Sequence, residues 1–350
     1  MAGSAHFIAG NAGARIPGCH IAFDCESWRN GSSTGERHTF RLAVAECWRR
    51  HDKGRPWGEP QRGEFETPAA LWDWVADHAP KNGRCVVVAH NLAYDLRVAQ
   101  VFAHLPALGF TVTRFGIGGG HFSMKWTRGK TTLHMVDSMA WLPTGLGTLG
   151  ELVGVRKPAL PADDAPRDVW LERCRADVAI LAECWRRLLD WIERDRLGNW
   201  RPSGAAQAEA AWRHRFYTMP VLCQPHYPTR QAEREAAWTG RTEAWRHGRL
   251  RGGPWTEWDY QAAYCRIAAY CSLPTIQQGW THAKGAEAAL RPVMGRRTLI
   301  RGVVTTKAPV VPCRGAQGVI WPVGTFETTL WDCEARLVLA TGGTFEASTA

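Results

Sequence analysis

CHIAFDCES, residues 19–27, reads as a β-strand, and RCVVVAHN, residues 84–91, as a second, buried one rich in β-branched side chains. Around them the chain alternates. FRLAVAECWRR (40–50) reads as a strand ahead of the turn HDKGRPWGEP. TPAALWDWVADHAP (67–80) begins with Thr67 as an N-cap and Pro68 at the first helical position. YDLRVAQVFAHL (94–105) has a helical pattern ended by Pro106, and the stretch 110–139 reads as strands around a Gly-rich turn. DVWLERCRADVAILAECWRRLLDWIERD (168–195) is the clearest helix: Leu171, Cys174, Val178, Leu181, Trp185, Leu188 and Ile192 recur at steps of three and four. The fold class is α/β, built on a mixed sheet.

The chain has 350 residues, enough for two domains with cores of their own. No apolar run approaches the ~20 residues of a membrane span, and MAGSAHFIAGNAGARIPGCH lacks the layout of a secretory signal. The expectation is a cytoplasmic protein, of a bacterium or a phage-infected host cell, with no membrane partner. Eleven cysteines without a C-x-x-C pair suggest neither a disulfide framework nor a zinc site. Residues 1–195 carry 24 Lys and Arg against 22 Asp and Glu, whereas residues 196–350 carry 19 against 11. A basic second half fits a polyanion such as nucleic acid. An Arg-, Ala-, Gly- and Trp-rich composition yields the same excess without one.

Four acids stand out. Asp24 and Glu26, two apart on a strand, share a face. Asp95 lies where the chain leaves the buried strand, and Asp177 lies beside the apolar stripe of the long helix. Singly, such acids are ordinarily solvated surface groups, and a D-x-E alone says little. Together, on a strand, a loop edge and a helix, they are oxygen donors suited to two hard divalent cations about 3.5–4 Å apart, the arrangement of phosphodiester hydrolysis.

At these residues the chain resembles family B DNA polymerases. FDCES (23–27) is similar to their first exonuclease motif, HNLAYD (90–95) to the second and RCRADVAIL (173–181) to the third. HMVDSMAWLP (134–143) and KPAL (157–160) resemble segments of the protein-primed phage and plasmid members. The resemblance implies a ribonuclease H-like 3′-5′ exonuclease domain with Asp24, Glu26, Asp95 and Asp177 as metal-binding catalytic acids. It implies two Mg2+ or Mn2+ ions per site and Lys157 near the scissile phosphate. His90, Asn91, Tyr94, Ser138 and Met139 would hold a single-stranded 3′ end. One position departs: Arg173 stands where the third motif has a tyrosine that orients the attacking water, and a guanidinium cannot replace a hydroxyl there. An arginine there could contact phosphate or face solvent.

RLGNWRPSGAAQAE (196–209) marks a break. Beyond it, AAWTGRTEAW (236–245) partly resembles the family's Y-x-G-G-R linker, making Arg241 a candidate template contact. WDYQAAYC (258–265) resembles polymerase motif A, with Asp259 as a metal-binding acid and Tyr264 under the incoming nucleotide. Neither a D-T-D triplet nor the fingers lysine helix follows. The expected organisation is an N-terminal arm (1–17), an exonuclease domain (18–195), a linker (196–250) and an incomplete α+β polymerase palm (251–350). The expected protein is the N-terminal portion of a DNA-replicating polymerase that meets primer-template DNA and a priming terminal protein. A stand-alone exonuclease and a non-catalytic single-strand binder are the alternatives.

Overall fold

The computed structural model describes residues 6–32, 35–50, 56–118, 121–217, 220–223, 227–238, 248, 251–254, 256, 260, 263–270, 298–315 and 318–349. The chain divides into two compact units, Ala9–Met219 on the one hand and Met1–Ile8 with Pro220–Ala350 on the other. A three-residue strand, β1 (His6–Ile8), opens the described chain and belongs to the second unit.

The first unit is built on a seven-stranded mixed sheet. Its strands are β2 (Cys19–Ser32), β3 (Gly35–Arg49), β4 (Gln61–Phe65), β5 (Gly83–Ala89), β6 (Thr111–Gly118), β7 (His121–Arg128) and β8 (Thr131–Asp137), in the order β4-β3-β2-β5-β8-β7-β6. β2, β5 and β8 run parallel and the remaining neighbours antiparallel. Strand alternation divides the core in two. Ile21, Phe23, Cys85 and Val87 pack on one face, under α1 (Pro68–His78), α2 (Leu92–Val98) and α3 (Val101–Ala107). Ala22, Val44, Val86 and Val88 pack on the other, under α4 (Leu146–Val153) and α5 (Arg167–Arg194). Asp24 and Glu26 share the parity of Ala22 and so lie on the α5 side.

β2 and β3 form a long antiparallel ribbon, with a register shift after Glu26 that leaves Arg41 of β3 without an opposite residue. β2 pairs with β5 only from Cys19 to Ala22. Past that point its β5-side backbone is released from the ladder, which opens a crevice at the carboxyl ends of the parallel strands.

Thr67 caps α1, its hydroxyl accepting from Ala70 N at 3.2 Å. The stretch 94–105 is not one helix. α2 ends at Val98 and α3 begins at Val101, because Gln100 takes a left-handed conformation (φ 51°) that turns the chain. Pro106 does not end the second piece either. Leu108 N–H bonds back to the His104 and Leu105 carbonyls, each at 3.2 Å, and carries the helix one residue past the proline. α4 lies hard against its surroundings at Gly150, where a Cβ would stand 2.4 Å from Val155 O and 2.9 Å from Ile180 Cδ1.

Residues 197–215, which fall within the expected linker, belong to this unit. Leu197 and Trp200 complete the core under α5, and Trp200 N donates to Arg15 O at 2.9 Å. α6 (Gly204–Arg215) follows, its buried Gln207 donating to Leu197 O at 2.6 Å.

In the second unit, β9 (Val221–Cys223) pairs antiparallel with β1, where the sequence suggests an irregular arm. α7 (Tyr227–Glu235) and α8 (Ala263–Tyr270) follow. β10 (Leu299–Thr306), β11 (Cys313–Gly315), β12 (Gly318–Ile320), β13 (Gly324–Trp331), α9 (Asp332–Ala340) and β14 (Thr344–Thr349) are its other elements among the described residues. β10 lies between β13 and β14, and Val304, Val311, Leu330 and Val338 form a small core.

Candidate metal centre

β2 and α5 bring three acids together. Asp24, Glu26 and Asp177 each present a carboxylate oxygen, and these oxygens all lie within 4.8 Å of one another. Asp177 is set by helical geometry: it is one turn from Cys174, whose thiol reaches Asp24 Oδ2 at 3.4 Å. Lys157, on the loop after α4, donates to Asp177 Oδ2 at 2.6 Å. The other oxygen of Asp177, Oδ1, is buried with no hydrogen-bond partner.

Asp95 stands apart from the three. Entering from α2, it accepts the Cys25 N–H through Oδ1 at 3.1 Å, the amide that β2 frees where its pairing with β5 stops. Its Oδ2 is buried without a hydrogen-bond partner.

The electrostatics are those of crowded acids. Burial, then the Asp177 and Glu26 charges, pushes the Asp24 carboxyl well above the ordinary range. Burial and the Asp24 charge do the same to Asp95. Glu26 is pushed up to about 7, chiefly by burial, with Arg173 pulling against it. Buried carboxylates that repel one another and keep oxygens without protons to accept are suited to a hard divalent cation, which relieves both costs. The donor set, all oxygen, fits Mg2+ or Mn2+.

Arg173 does not face solvent. Its side chain, 13% exposed, lies among the acids, with Nε 3.4 Å from Glu26 Oε1 and Nη2 3.9 Å from Asp177 Oδ2. Nη1 donates to Pro158 O at 2.7 Å, on the loop that carries Lys157.

The expected strand-binding residues fall into two groups. His90 Nδ1 and Ser138 Oγ are 2.9 Å apart. Asn91 takes a left-handed conformation (φ 67°), and its N–H donates to Asp137 Oδ1 at 3.1 Å. Asp137 also accepts Met139 N–H at 3.0 Å, so one carboxylate ties both segments together at the crevice. Tyr94 points elsewhere, its hydroxyl 2.7 Å from Ser27 Oγ and 3.1 Å from His38 Nδ1. Burial raises the pKa of that phenol.

Ser27, His38 and Asp137 were not among the expected site residues, although Ser27 lies in FDCES and Asp137 in HMVDSMAWLP. Ser27 directly follows the D-x-E pair, a further signal. His38 comes from the neighbouring strand and carries none. Asp259 and Arg241 lie outside the described residues. Tyr264 lies on α8 with its side chain exposed.

No protein-family model and no curated protein matches the sequence. Solved structures do match, in fold. Among them are structures of phi29 DNA polymerase. Its orthorhombic crystal form matches with a TM-score of 0.55 at 12% identity, over 95% of this chain and 60% of that one. The same polymerase complexed with single-stranded DNA matches with a TM-score of 0.54 at 11% identity, over 95% and 60%. Its ternary complex with primer-template DNA and incoming nucleotides matches with a TM-score of 0.54 at 12% identity, over 96% and 61%. The likeness is one of fold, and this chain spans about 60% of that polymerase's length.

Proposed function

We propose that this chain is the exonuclease-bearing portion of a family B DNA polymerase of the protein-primed type. Its reaction is metal-dependent removal of nucleotides from the 3′ end of single-stranded DNA. The observation that carries the reading is the convergence of Asp24, Glu26 and Asp177, from a strand and a helix about 150 residues apart, with Lys157 on Asp177. It stands at the carboxyl ends of parallel strands, where open α/β sheets bind ligands.

In this reading Asp24, Glu26 and Asp177 hold the divalent cation, and Asp95 completes the acidic set. When bound, Mg2+ or Mn2+ supplies charge neutralisation and Lewis-acid polarisation at the scissile phosphate. Lys157 offers an ammonium beside the phosphate. His90, Asn91, Ser138 and Met139 line one approach for the strand and Tyr94 another, where an aromatic ring stacks on a base without reading sequence. Arg241 contacts template phosphate, Asp259 holds one side of a polymerase metal, and Tyr264 packs under the incoming nucleotide. Primer-template DNA and a priming terminal protein are the partners of the whole polymerase.

The test is digestion of 5′-labelled single-stranded DNA with Mg2+ or Mn2+. Wild type should shorten the strand from its 3′ end, and Asp24→Ala should leave it whole. Equal inertness of the two overturns the nuclease reading. Arg173 favours a second reading, in which the unit binds single strands without cutting them. Its signature is single-strand binding with no metal-dependent shortening.

A further inference from the structure

The resemblance implies two cations in the exonuclease site. The side chains point to a different count. The clustered oxygens of Asp24, Glu26 and Asp177 fall within 4.8 Å of one another. Hard divalent ions sit about 2.0–2.6 Å from each ligand, so such a cluster wraps one ion. A second ion that draws on Glu26 or Asp177 has to share it with a guanidinium, which already reaches both. Arg173 lies 3.4 Å from Glu26 Oε1 and 3.9 Å from Asp177 Oδ2, and its bond to Pro158 O at 2.7 Å anchors it there. Asp177 Oδ1, buried and without a hydrogen-bond partner, remains for an ion.

Charge gives the same answer. Asp24, Glu26, Asp95 and Asp177 bring four negative charges when ionised, and Lys157 and Arg173 bring two positive ones. One divalent cation neutralises the remainder. Two leave an excess of positive charge among half-buried and buried groups, which is costly. A neutral side chain at position 173 would add nothing to this count, whereas an arginine adds one positive charge.

We propose that Arg173 stands in for one of the two divalent cations, so that this centre takes a single Mg2+ or Mn2+ between Asp24, Glu26 and Asp177. The inference rests on the reading of the cluster as a metal centre, and its test separates the two. The full chain is titrated with Mn2+, and bound ions are counted by equilibrium dialysis and examined by electron paramagnetic resonance. Ions that depend on Asp24 are identified with Asp24→Asn.

Wild type should hold one Asp24-dependent Mn2+ with an uncoupled spectrum. Arg173→Gln and Arg173→Met should hold two, with the spin coupling of a pair about 3.5–4 Å apart. Arg173→Lys, which keeps a cation, should stay at one. A coupled pair in wild type overturns the proposal and leaves the metal centre standing, and this needs no variant at position 173 to fold. Unchanged stoichiometry in folded Arg173→Gln and Arg173→Met also overturns it. Absence of any Asp24-dependent Mn2+ in wild type removes the metal centre itself, and the proposal with it.

Discussion

At the residue scale the Lys157–Asp177 pair has side chains 23% and 5% exposed. Removing one partner of such a pair leaves a charge poorly compensated, at a cost of about 3–5 kcal/mol when burial is deep. Lys157→Met should therefore lower the melting temperature in chelator, and Mn2+ should recover more of the loss than it adds to wild type. Cleavage by the same variant should fall about 10²-fold, the scale of losing one charge-stabilising donor. Activity equal to wild type would assign Lys157 to structure alone. A second residue prediction concerns pH. His20 is fully buried, its Nε2–H donating to Pro17 O at 2.8 Å and its Nδ1 accepting from Trp185 Nε1 at 3.1 Å. Both bonds suit the neutral ring, and burial lowers its pKa to about 3. His134, lowered to about 3 chiefly by burial, acts with the same sign. Because the unfolded imidazole takes up its proton near pH 6.5 and the folded one near 3, the stabilisation is complete above 6.5 and is lost as pH falls. The loss is about 1.4 kcal/mol per pH unit for each ring. The raised carboxyls of Asp24, Asp95 and Glu26 contribute a slope of the opposite sign over the same range, so the reading is a difference: in urea unfolding at pH 7, 6 and 5, the slope of His20→Gln should differ from that of wild type by one proton. An unchanged slope in that variant would assign the proton uptake elsewhere.

At the scale of elements, the turn from β5 into α2 and the turn after β8 share one carboxylate. Asp137→Ala removes the acceptor of both Asn91 N–H and Met139 N–H, and should cost about 3 kcal/mol in urea unfolding. It should also weaken single-strand binding more than Asp137→Asn, which keeps an acceptor oxygen. α4 gives a parallel case. Gly150→Ala drives a methyl into Val155 O and Ile180, so it should displace the loop that carries Lys157 and lower cleavage as well as stability. What the sequence made legible here was whatever local periodicity encodes. The step of two placed Asp24 and Glu26 on one face, the steps of three and four drew the stripe of α5, and Thr67 with Pro68 marked the start of α1. What it hid depends on contacts distant along the chain or on backbone choices with no residue signature. Gln100 breaks the 94–105 stretch by adopting a conformation that glycine would have advertised and glutamine does not. The bridging of Glu26 and Asp177 by Arg173 needed β2, α5 and the Pro158 loop in place together.

At the scale of the whole molecule, the first compact unit runs to Met219 rather than to residue 195. Trp200 is 3% exposed within the core under α5, so a fragment ending at 195 leaves the space it fills open. Residues 9–219 should melt cooperatively as an isolated fragment and keep the metal-dependent shortening of single strands. Residues 9–195 should be weaker by about 3–5 kcal/mol, the cost of emptying a tryptophan-sized site. Equal melting of the two would show that α6 and Trp200 contribute little. Trp200 was hidden in the sequence because it lies in a Gly- and Pro-flanked stretch that reads as a loop, and its burial comes from α5 and the backbone of Arg15.

The register shift after Glu26 bears on how such a chain tolerates change in length over descent. One residue gained or lost between Cys19 and Glu26 reverses the facing of everything beyond it and swings the acids away from α5. Residues gained in pairs on both sides of the far end of the ribbon, between Ser32 and Gly35, prolong it and leave the pairing from Cys19 to Glu26 untouched. Insertions and deletions among descendants of this chain should therefore collect at the ribbon's tip, while the eight residues from Cys19 to Glu26 keep their number.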